Sequence, residues 1–134
     1  MPRILLPFIL MLAFTLPAQA DEAITGTLTL APELAAQAKP EHTVFLFARA
    51  VNGPRMPLAA LRTTVAELPL EFTLDDSMAM APMARLSSYP QVVVIARISA
   101  AGGVQATSGD LEGQSEVIPP GTHGVAITID RRLP

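Results

Sequence analysis

Apolar side chains in this sequence recur at every second position over short stretches separated by turn-forming residues, before a helical period is established. From Ile24 to Leu30 the residues Ile24, Gly26, Leu28 and Leu30 fall on one side and Thr25, Thr27 and Thr29 on the other. That period of two predicts a half-buried strand. The same alternation recurs over Leu70 to Leu74 and Val125 to Asp130. Thr43 to Ala50 and Gln91 to Ser99 are nearly continuous apolar runs rich in β-branched and aromatic residues, which suits central strands, the first covered on both faces. Leu58 to Val65 and a weaker segment at Gln114 to Ile118 bring the total to about seven short strands. Pro32 to Lys39 has room for only a helical turn or two. The expected fold is all-β: an immunoglobulin-like antiparallel sandwich, without the cysteine pair or tryptophan usual in such domains.

The first 20 residues contain Arg3, an apolar run from Ile4 to Leu16, and Ala18-Gln19-Ala20 before Asp21. This is the pattern of a secretory signal peptide, so residues 21–134 are expected to form one exported domain, periplasmic in a Gram-negative cell and not membrane-spanning. The net charge is −3 and Lys39 is the sole lysine, which supplies no footprint for nucleic acid. With no cysteine in 134 residues, disulfides, zinc-thiolate sites, iron-sulfur clusters and thiol nucleophiles are excluded. Nucleophile-elbow, phosphate-loop and dinucleotide motifs are absent as well, so the sequence points away from an enzyme and implies no cofactor.

The segment Leu74 to Ser88 is the least ordinary part of the chain. It carries Met78, Met80 and Met83 beside Asp75, Asp76 and Ser77, with Met56 on another turn-rich stretch. Flexible thioethers at the end of a rigid sandwich make an adaptable contact surface, so these seven residues are the candidate partner-binding set. A second reading takes Met78, Met80 and Met83 as soft ligands for Cu(I), helped by His42 or His123. A third takes the domain as a structural element in an oligomer. Asp75 and Asp76 are adjacent and diverge, which suits turn capping better than shared metal or proton chemistry. Arg49 and Arg97 stand near the ends of the two most apolar runs. If those runs pair, both guanidinium groups are expected at one end, in structural ion pairs with carboxylates such as Asp110.

Several blocks occur in a telling order: Val44-Phe45-Leu46-Phe47-Ala48-Arg49-Ala50, Gly53-Pro54-Arg55-Met56-Pro57-Leu58-Ala59, Leu74-Asp75-Asp76-Ser77-Met78-Ala79-Met80, Val94-Ile95-Ala96-Arg97-Ile98-Ser99 and Gly109-Asp110-Leu111-Glu112-Gly113. Together they resemble the C-terminal immunoglobulin-like domain of cytochrome c-type biogenesis protein H, a chaperone subunit of bacterial System I cytochrome c maturation. In that family the module follows two membrane helices and a tetratricopeptide-repeat region, and the whole protein presents unfolded apocytochrome for haem ligation. Here the leader is expected to run directly into the sandwich. The resemblance therefore implies a free-standing, non-catalytic periplasmic binding module whose partner is a maturation protein or apocytochrome.

Overall fold

The computed structural model describes residues 23–53, 56–79, 85–103 and 105–134. The expected signal peptide at residues 1–20 lies outside them. Eight strands form: β1 (Ile24–Leu30), β2 (Thr43–Ala50), β3 (Ala59–Thr64), β4 (Leu70–Leu74), β5 (Val92–Ser99), β6 (Leu111–Gln114), β7 (Val125–Ile129) and β8 (Arg131–Arg132). They make a three-stranded sheet of order β4-β1-β7 and a five-stranded sheet of order β3-β2-β5-β6-β8. Among the described residues helical structure is confined to short 3₁₀ turns, the longest over Pro32–Gln37. Among the described residues no helix is long and apolar enough to cross a membrane.

Alternation sets the register. In the small sheet Ile24 lies opposite Leu74, Gly26 opposite Phe72 and Leu28 opposite both Leu70 and Ile127, so one face is apolar. The threonines occupy the other, with Thr25 opposite Thr73 and Thr29 opposite Thr128. In the large sheet Val44, Leu46, Ala48 and Ala50 pair with Ile98, Ala96, Val94 and Val92. All eight are buried, and with Ile24, Leu28, Leu74, Ile127 and Ile129 they form the core between the layers.

Three sequence expectations change. The ladders are antiparallel except β1–β7, which is parallel, because the chain enters β7 from the end at which β1 begins. Among the described residues the outer face of β2 lies under no second layer: Phe45 and Phe47 are half-buried and Arg49 is exposed. The Phe45 ring is covered by guanidinium groups of neighbouring strands, described below. The weak strand expected over Gln114 to Ile118 lies earlier, as β6 over Leu111–Gln114 after a turn at Gly109 with φ +88°, and Ile118 keeps an isolated bridge to Val92. Gly113 is inside β6.

Gly113 has a packing reason. A Cβ there would lie 2.1 Å from the Thr128 carbonyl oxygen, so β6 and β7 approach backbone to backbone. That approach lets the chain leave the small sheet after Ile129, donate from Asp130 N to Glu112 O over 3.2 Å, and continue as β8 in the large sheet. Gly113→Ala is expected to cost about 3 kcal/mol or more, because backbone must move to admit the methyl group. Gly103→Ala, where a Cβ meets nothing within 4 Å, is expected to change stability by less than about 0.5 kcal/mol. Urea unfolding checks the pair; equal midpoints would contradict the close approach.

Candidate functional site

The two methionine-bearing segments come together because β2 ends where β5 begins. Ala50 lies opposite Val92, and Val51 N donates to Gln91 O over 3.1 Å. The Tyr89 ring sits against Gly53, where an added Cβ would lie 2.8 Å from Tyr89 Cε1. The turn from β2 to β3 and the connection from β4 to β5 therefore share one end of the sandwich.

Two aspartates organise that connection. Asp75 Oδ1 accepts from Ser77 N over 2.9 Å and from the Ser77 hydroxyl, capping the short 3₁₀ turn over Asp76–Met78. Asp76 reaches across the loop: Oδ1 accepts from Ser87 N over 3.0 Å and Oδ2 from the Ser87 hydroxyl. The adjacent carboxylates thus serve different partners, and the second ties the exit of β4 to the approach to β5. Ser87 carried no signal in the sequence, since nothing local marks a partner eleven residues away.

Among the candidate contact residues, Met56 is 45% exposed, whereas Met78 is partly buried and packed against the core. Met80 and Met83 lie outside the described residues. His42, whose Nδ1 accepts from Lys39 N, precedes β2 and so stands at the far end of the sandwich from Met56 and Met78. His123 Nδ1 pairs with the Thr25 hydroxyl at 3.0 Å.

Arg49 and Arg97 do not share an end. Their strands are neighbours but antiparallel, so Arg49 lies opposite Val93 and Arg97 opposite Phe45, four positions apart along β2. Arg97 is buried at 6% exposure; its Nε lies 3.4 Å from Asp110 Oδ2 and its Nη2 donates to Gly103 O over 3.2 Å. Asp110 also accepts from Thr107 N at 2.9 Å and from Thr107 Oγ1 at 3.0 Å, which fixes the turn before β6. Arg49 makes no ion pair among the described residues.

Arg97 belongs to a cross-strand row on the outer face. In register order it runs Arg62, Phe45, Arg97, Glu112, Arg131 across five strands. The guanidinium carbons of Arg62 and Arg97 stand 5.5 and 5.4 Å from the Phe45 ring centroid, within cation–π range. Arg131 and Glu112 form an ion pair at the row's other end. Parity marks Phe45, Phe47 and Arg49 as one face of a strand, but Arg62 joins them only through the β2–β3 register, which local sequence does not specify.

The family model for the cytochrome c-type biogenesis protein H Ig-like domain matches residues 24–130. The chain is 43% identical over 115 residues to the cytochrome c-type biogenesis protein CycH of Pseudomonas aeruginosa, an alignment covering 85% of this chain and 28% of that protein. It thus spans under a third of that relative's length. A looser likeness, with TM-score 0.46 and 18% identity over 81% of this chain and 96% of the other, is to an alternative pilotin of the type II secretion system of Vibrio cholerae. The family match covers most of the chain, which therefore belongs to the cytochrome c-type biogenesis protein H Ig-like family.

The two carboxylate arrangements differ in burial and so in expected cost. Asp110→Ala strands the buried Arg97 charge and is expected to lower stability by about 3 kcal/mol or more. Arg131→Gln, at a pair whose arginine side chain is 53% exposed, is expected to cost under about 1 kcal/mol. Chemical denaturation of both variants checks the contrast, and equal losses would contradict the burial argument. Asp76→Ala is expected to cost about 1 kcal/mol and to speed amide exchange at Ser87, which loses its acceptor. Unchanged exchange there would contradict the tie.

Proposed function

We propose, starting from that membership, that the chain is a non-catalytic periplasmic accessory module of cytochrome c biogenesis. In this reading it contacts a maturation protein or apocytochrome through the end of the sandwich that carries Met56, Asp75, Asp76, Ser77 and Met78, extended by Met80 and Met83. The observation that carries the relation to cytochrome c biogenesis is the family match over residues 24–130. Export follows from the leader-like pattern of residues 1–20, which also supports cleavage to a domain of residues 21–134.

The geometry supports this end as the contact surface in two ways. Asp76 binds Ser87 and Asp75 caps the turn over Asp76–Met78, so a partner would meet Ser77 and Met78 on a turn already formed and less entropy would be lost there on binding. Met56 offers an exposed flexible thioether, suited to varied apolar groups of an unfolded client. The aspartate carboxylates are occupied within the loop, so their contribution is to shape it, with Ser77 exposed at its surface. The domain's role within longer members of the family rests on the same membership.

A photo-crosslinking residue in place of Met56, expressed in a bacterium that makes c-type cytochromes, tests the reading. Adducts with a maturation component or a c-type apocytochrome are expected, reduced several-fold when Asp76→Ala releases the loop. Adducts with neither class would overturn it.

A further inference from the structure

The outer face of the large sheet holds a basic and aromatic patch that the loop-end contact leaves unused. By register Arg49, Arg62, Arg97 and Arg131 all project from this face, in a chain whose net charge is −3. Asp110 and Glu112 neutralise Arg97 and Arg131. Arg62 and Arg49 are exposed, and among the described residues neither makes an ion pair.

Arg62 is also held in place. Its guanidinium stands over one aromatic ring that Arg97 contacts as well, and Arg97 is itself fixed by Asp110 and Gly103. A guanidinium that uses its flat face on a ring keeps its N–H edge for a carboxylate, which it takes in bidentate fashion. Arg49 is four residues along β2 from Phe45, roughly 13 Å at strand rise, and half-buried Phe47 lies between them. Two cationic groups thus flank an apolar one at fixed spacing.

We propose that this face binds an acidic segment of a protein partner, with one carboxylate on Arg62, a second on Arg49 and an apolar side chain over Phe47. Charge complementarity selects the occupant: the patch is locally cationic, so an acidic segment fits it, whereas a symmetric pairing of the patch with its own copy would oppose like charges. The surface is separate from the loop end, and the proposal stands whether or not that end contacts apocytochrome.

The test is a nuclear magnetic resonance titration of the purified chain with a synthetic extended peptide carrying two glutamates four positions apart and a phenylalanine midway. Shift changes are expected on β2, β3 and β5 around Phe45 and Phe47, weakening as salt is raised. Replacing both glutamates by glutamine is expected to weaken binding about tenfold or more, as is the double variant Arg49→Gln, Arg62→Gln. Both arginines are exposed and the variant loses one exposed cation–π contact, so it should stay folded with a thermal midpoint only slightly lowered; the glutamine peptide gives the same answer on unaltered protein. Equal affinity for both peptides, shifts confined to the loop end, no binding, a response to haemin but not to the peptide, or self-association through this face would each overturn the proposal.

Discussion

The burial of one apolar face against another holds this molecule together. With no cysteine to cross-link it, the domain depends on the inner faces of β2 and β5, eight paired residues without a polar side chain, packed on the alternate residues of β1, β4 and β7. The approach of β6 to β7 at Gly113 closes one side of that interface and lets the chain cross between layers at Asp130. Register and crossing support each other, since a slip of one residue in β7 would present Ala126 and Thr128 to the core instead of Ile127 and Ile129.

An interior committed to packing leaves chemistry to the periphery. One peripheral region is the end where the β2–β3 and β4–β5 connections meet, shaped by Asp75, Asp76 and Ser87 around a half-buried Met78 and an exposed Met56. The other is the outer face of the large sheet, where two guanidinium groups stand over the Phe45 ring and half-buried Phe47 lies beside it. The buried Arg97–Asp110 pair links that face to the turn before β6, so removing either partner would disturb both. Family membership relates the chain to cytochrome c-type biogenesis protein H, and both regions are carried on the same two-layer core.

Much of the fold was legible because alternation is a local signal. The strands at Ile24–Leu30, Leu70–Leu74 and Val125–Ile129 follow from period two alone, and the two long apolar runs became the central pair of the large sheet. Antiparallel pairing itself separates Arg49 from Arg97: two arginines that both stand near the C-terminal ends of their strands sit apart once those strands run in opposite senses, which similar local context does not show. The place of Gly113 within a strand was not legible, because a sequence shows that a side chain is missing but not the carbonyl that excludes it. For the candidate site, the capping role of Asp75 follows from residue type and position, whereas the Asp76–Ser87 bond and the place of Arg62 depend on contacts between distant segments. The ordered blocks of the family resemblance carried the setting that no single residue type could supply.

Native-state hydrogen exchange read against global unfolding tests the central claim, a rigid two-layer core, most directly. The amides that join β2 to β5, at Phe45, Phe47, Ile95 and Arg97, are expected to exchange only through global unfolding, with protection equal to the stability measured by denaturant. Exchange of those amides through a local opening well below that stability would contradict the account, because the surfaces at the loop end and on the outer face would then lack a fixed support.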